Sequence, residues 1–268
     1  MMGAHMEDAV LPNTRETLAS RVAGDPHASR RAWITLFARI TLFAACQGLV
    51  AIIQLVAGSA HPWDASVAWW PVSATVANLL TIALLVRMAR AEGLPVSALW
   101  NRSGATWKRD LLWFLGAFVL LGPIAMLPSS WLALALWGDV NATTPIMFQA
   151  LPLWVAWPTL VLFPLSIAFS ELPAYAGYVL PRLQAITGKR GAMVLAVAAV
   201  LAAQHMALPL VFDWRFALWR ALMYAPFALF IIWAIDRRPT LMPYFMGMHA
   251  LIDLSVPIYV LLVSTGRR

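Results

Sequence analysis

Apolar residues run along most of this chain without a polar stripe between them. Seven stretches, 33–57, 66–86, 111–137, 150–180, 192–211, 216–235 and 241–263, are each dominated by Leu, Ala, Val, Ile, Phe and Trp. A helix needs about 20 such residues to cross hydrocarbon. Continuous apolar character is the signal here, not a 3.6-residue stripe or strict alternation. The pattern predicts an all-α, polytopic membrane helix bundle with about seven transmembrane helices, within a range of six to eight. The fourth stretch carries Pro152, Pro158, Pro164 and Pro173, which predicts a bent or broken helix. Freed backbone groups at membrane depth survive only where protein or water covers them, so this segment is expected to line a cavity.

The breaks between stretches carry the basic residues. The segment "RMARAEGLPVSALWNRSGATWKRD" holds Arg87, Arg90, Arg102, Lys108 and Arg109. Later breaks hold Arg182, Lys189 and Arg190, then Arg237 and Arg238. The alternate breaks "GSAHPWDAS", "GDVNATTP" and "VFDWRF" contain a single arginine, Arg215. Positive charge marks the cytoplasmic side, so the N-terminus is expected there. An odd number of crossings puts the C-terminus outside, against which the terminal "GRR" argues mildly. Residues 1–31 are polar, carry both signs of charge and lack the apolar core of a signal peptide. They read as a disordered cytoplasmic arm, in which Gly3–Met6 has the look of a cloning remnant. Residues 32–268 read as one membrane domain with its chemical core at about 150–264. Trp63, Trp69, Trp70, Trp107, Trp137 and Trp214 fall near span ends, as headgroup-level aromatic belts do. Arg39, inside the first stretch, is expected to snorkel.

Composition sharpens this reading. The 268 residues are 62% hydrophobic and 12% charged, against roughly half and a quarter in soluble domains. That leaves too little polar surface for a soluble fold. The net charge of +7 sits in short loops, not in a basic patch with interleaved aromatics, so no nucleic-acid partner is expected. Cys46 is the lone cysteine and reads as a small buried hydrophobe.

Four ionisable residues stand out inside the apolar stretches: Glu171, His205, His249 and Asp253. Each is expensive in hydrocarbon, about 2.5–3.5 kcal/mol for a charged group at the centre of a helix. Gathering them around one wet pocket avoids that expense. His249 and Asp253 are four residues apart and share a helix face. A carboxylate and a histidine can take a proton from water to make a nucleophile. A second histidine can donate to the oxyanion of an attacked carbonyl. Glu171, His205 and His249 are also a possible ligand set for a divalent metal such as zinc. The residues alone leave the metal and metal-free versions both open.

Three short motifs lie in order across these stretches. "ELPAYAG" starts at Glu171, "LAAQH" ends at His205, and "HALID" runs from His249 to Asp253. Together they resemble the CAAX-protease and bacteriocin-processing family of intramembrane proteases. The family patterns are Glu-Glu-x-x-x-Arg, Phe-x-x-x-His and His-x-x-x-Asn/Asp. The resemblance covers roughly residues 160–254 and implies an eight-helix or similar bundle with a conical cavity open to the cytoplasm. It implies that Glu171 and His205 activate water, and that His249 and Asp253 stabilise the oxyanion or complete the site. It further implies a protease of the bacterial inner membrane acting on a membrane-associated peptide or protein, lidipated substrates and leader peptides being the classes to expect. Two positions depart from the pattern: Leu172 replaces the second glutamate and Ala176 the arginine. Such a pair lost together does less damage than one lost partner. The departures keep a second expectation alive, a membrane scaffold or immunity-type protein of the same fold without turnover. A third is a small proton-coupled transporter with Glu171 as its proton site.

Overall fold

The computed structural model describes residues 11–267. Residues 1–10, including the "GAHM" stretch, lie outside them. The chain is about 80% helical, with no strand among the described residues. The helices are α1 (Arg15–Ala23), α2 (Ala28–Val56), α3 (Pro62–Val67), α4 (Trp70–Ala91), α5 (Trp107–Trp137), α6 (Thr144–Met147), α7 (Leu153–Leu172), α8 (Leu180–Thr187), α9 (Arg190–Ala203), α10 (Trp214–Met223), α11 (Ala225–Arg237), α12 (Met242–Asp253) and α13 (Ser255–Ser264). Three pairs run together into single spans: α7 with α8, α10 with α11, and α12 with α13.

Among the described residues, six spans are long and apolar enough to cross a membrane. The stretch at 192–211 differs from the other six. Its helix, α9, ends at Ala203 in a short 3-10 turn, Gln204–Met206. Fourteen residues rise only about 21 Å at 1.5 Å each, short of the roughly 30 Å of hydrocarbon. The residues after the turn carry the chain on to Leu210, which meets Gln47 and Trp63, and α10 starts back from Trp214.

Ion pairs gather one end of the bundle. Arg182 reaches Glu92 at 2.5 Å, Arg190 reaches Asp236 at 2.9 Å, and Arg238 pairs with Asp110. The Arg- and Lys-bearing loops therefore share one end. At the other end, Gln47 and Trp63 both donate to the Leu210 carbonyl, and the Leu151 N–H donates to Ser264.

The first described residues are not a loose arm. Thr14 caps α1 in a reciprocal capping box with Thr17, which satisfies orphan N–H donors at the helix start. Leu18 is fully buried, and α1 packs against α8. Asn13 donates to the Gly177 carbonyl at 2.7 Å and accepts from Arg182 at 3.0 Å. The expected disorder of residues 1–31 thus does not extend to residues 11–31. A buried arginine and an open backbone carbonyl supply the partners that a polar segment needs.

The proline-rich fourth span bends without breaking. Pro158 and Pro164 lie inside α7, and Pro173–Val179 forms a π-helical stretch that passes into α8. Wide turns of this kind are rare and often mark functional sites. Gly177 sits at the tightest point: a Cβ there would lie 2.9 Å from the Leu99 carbonyl oxygen. The span packs on α4, α12 and α13, and the buried core spreads from it to α9 and α11. By contrast, only 6% of the most apolar stretch of α5 is buried. Exposed side chains such as Leu112, Val119 and Trp131 cover its outer face.

Candidate active site

Glu171, His249 and Asp253 of two spans meet His205 around one hollow. Glu171 is the penultimate residue of α7, two positions before the π-helical stretch, and its side chain is almost wholly buried. His249 projects from α12 toward it, with Nε2 3.2 Å from Glu171 Oε1. Asp253, one turn further along α12, brings Oδ2 to 2.9 Å from the same Nε2. His249 thus stands between two carboxylates. Its Nδ1 is buried and without a protein partner, and the Asp253 oxygen is close but not aligned for a hydrogen bond.

His205 sits in the turn that terminates α9. Its Nδ1 lies 3.1 Å from the Leu201 carbonyl and 3.2 Å from that of Ala202. Carbonyls only accept, so Nδ1 carries the proton and Nε2 is left as an acceptor. The ring stacks on Tyr224, centroids 4.0 Å apart. Arg220 fastens the turn from below, donating to the carbonyls of His205 and Leu208.

All four residues line one small hollow of about 70 Å³. Its remaining wall is largely apolar, with Leu172, Leu201, Phe227 and Ile231 among the lining residues. That volume holds a few water molecules and no peptide. It is far smaller than the wide conical cavity implied by the resemblance. Leu172, at the position of the family's second glutamate, is part of this apolar wall, whereas Ala176 lies away from it.

The sequence reading missed the supports behind Glu171. Arg39 does not snorkel: its side chain is 0% exposed. It donates from Nη2 to Glu171 Oε2 at 3.3 Å, from Nη1 to Ser170 at 2.8 Å and from Nε to Gln204 Oε1 at 2.8 Å. Gln204 donates to Glu171 Oε2 at 2.6 Å, and Tyr175 donates to Gln204 Oε1 at 3.2 Å. An arginine this deep in a span is stable only with an anion and hydrogen-bond acceptors around it. The signal was present: Arg39 is a lone cation well inside the first apolar stretch, and Gln204 adjoins His205.

This arrangement bears on the metal set Glu171, His205 and His249. One oxygen of Glu171 faces His249, and the other is taken by Gln204 and Arg39. Among the described residues no three His, Cys, Asp or Glu side chains converge as ligands. The side chains as placed form charge-paired contacts and do not fit a three-ligand zinc shell, which would also have to tolerate the Arg39 guanidinium against one ligand.

Set beside models of known families, curated proteins and solved structures, the chain matches none of them.

Proposed function

We propose that the chain is an intramembrane endopeptidase that hydrolyses a peptide bond of a membrane-associated substrate with an activated water. The observation that carries this reading is the meeting of Glu171, His205, His249 and Asp253, from two spans and the turn after α9, around one hollow. In the order of motifs it resembles the CAAX-protease and bacteriocin-processing family.

The chemistry follows from the contacts. A water in the hollow gives its proton to Glu171 or to the free Nε2 of His205 and attacks the scissile carbonyl. His249, held between Glu171 and Asp253, donates to the oxyanion of the tetrahedral intermediate. The captured proton passes to the leaving amine, and the C–N bond breaks. Arg39, Gln204 and Ser170 touch no reacting atom. They are positioning residues that fix the Glu171 carboxylate. The bond to be cut reaches so small a hollow only as the surrounding helices part.

The reading is tested with purified protein and a panel of lipidated and leader-type peptides. Glu171→Ala and His205→Ala should each lower turnover by a factor of about a hundred or more. Equal turnover in all three proteins overturns the proposal. The location that goes with it is a bacterial inner membrane, with the Arg-rich end and the N-terminus cytoplasmic. Reporter fusions at each terminus check this: Asn13 meets Arg182 at the Arg-rich end and Ser264 lies at the opposite end, so a cytoplasmic C-terminal signal would refute it.

A second reading is favoured by one specific observation. Glu171 Oε2 is already engaged by both Arg39 and Gln204, so that oxygen is not open to a water molecule. On that reading the chain is a scaffold without turnover. Glu171→Ala would then leave its cellular phenotype intact.

A further inference from the structure

A second and larger cavity lies between α5 and α11. It measures about 790 Å³, within the roughly 300–1,000 Å³ usual for ligand sites. Trp113, Gly116 and Leu120 of α5 form one wall, and Phe230 and Trp233 of α11 the other. Helix α5 buries little of itself against the bundle. Both tryptophans are about half exposed, at 62% and 47%.

The cleft is charged at one end only. Arg109, near the start of α5, and Arg237 and Arg238, at the end of α11, all border it. Arg238 is partly spoken for by Asp110, yet its Nη2 is buried and without a hydrogen-bond partner. Among the described residues neither Arg109 nor Arg237 has an acidic partner. The cleft therefore offers an apolar trough along the spans and a cluster of guanidiniums at its mouth, on the end where the basic loops gather.

We propose that this cleft is a binding site for one anionic phospholipid of the surrounding bilayer. The acyl chains lie along the α5–α11 trough, and the phosphate is held by Arg109 and Arg237. Basic pockets between membrane helices take anionic headgroups in this way, and a guanidinium matches phosphate geometry. A zwitterionic lipid fills the same trough but brings no net charge to the mouth. The site is independent of the catalytic reading, since it shares no residue with the hollow around Glu171.

The test uses full-length protein in detergent, titrated with phosphatidylglycerol or phosphatidylcholine of identical acyl chains and read by native mass spectrometry. Phosphatidylglycerol should be retained more strongly. Arg109→Gln with Arg237→Gln should weaken its binding roughly fivefold per arginine and leave phosphatidylcholine unchanged. These two side chains are exposed, so the fold should survive, which thermal unfolding verifies. Gly116 faces open space, and Gly116→Phe should fill the trough and weaken both lipids. Equal retention of the two lipids overturns the proposal, as does a double variant that holds phosphatidylglycerol as tightly as wild type. Full displacement of phosphatidylglycerol by an acidic-flanked transmembrane peptide would reassign the cleft to a protein partner and overturn it too.

Discussion

His249 Nε2 lies 3.2 Å from Glu171 Oε1, joining α12 to the end of α7. The same nitrogen is 2.9 Å from Asp253, so both carboxylates meet one edge of the ring. If His249 supplies the oxyanion donor, His249→Ala should lower kcat by a factor of about 10²–10³. Asp253→Asn keeps the shape and weakens only the orientation of the ring, so its loss should be smaller. Peptide cleavage kinetics decide the order, and a larger loss for Asp253→Asn would mean that Asp253 itself meets the reacting atoms.

Arg39 should matter for stability as well as positioning. Arg39→Met leaves Glu171 as an uncompensated buried charge, which costs about 3–5 kcal/mol. Replacing both partners, as in Arg39→Met with Glu171→Leu, removes the charge and should recover much of that loss. Thermal unfolding of the four proteins of the cycle measures the coupling. Simple additivity of the two single changes would show that the 3.3 Å contact contributes nothing.

Gly177 has no room for a methyl group. A Cβ would meet the Leu99 carbonyl at 2.9 Å and the Leu99 Cβ at 3.3 Å. Gly177→Ala should therefore destabilise by about 1–3 kcal/mol. Gly191, near the start of α9, faces open space, so Gly191→Ala should be neutral or stabilising through helix propensity. The two Tm values compared side by side test the difference, and equal shifts would contradict it.

Chelation tests the charge-paired reading of the site. With Glu171 Oε2 taken by Arg39 and Gln204, peptide cleavage should survive a strong zinc chelator unchanged. Loss of turnover on chelation and its return on adding zinc would show that Glu171, His205 and His249 rearrange into a ligand shell.

The spans were legible in the sequence because hydrocarbon imposes a simple demand: every residue facing it must be apolar, over a fixed length. The site residues were legible for the complementary reason, since a titratable group in such a run needs company. Arg39 obeyed that same rule but was read by its nearness to a span end, and burial against Glu171 overrode that reading. Helix α9 looked like a full span because the residues after its turn remain apolar, and apolarity does not reveal a change of direction. Helix α1 was illegible for the opposite reason. It is short and polar, and it is ordered by Asn13 and Arg182, whose partners lie 164 and 169 positions away.

The Arg39 cluster has a mechanical consequence. It ties α2, the end of α7 and the turn after α9 to one another through a buried guanidinium. Sliding α2 along its neighbours by one turn, about 5.4 Å, would strand a guanidinium and a carboxylate in hydrocarbon at once. The cluster therefore behaves as a vertical detent. Helices around it can tilt or swing sideways, but these three cannot ratchet past one another while it is intact.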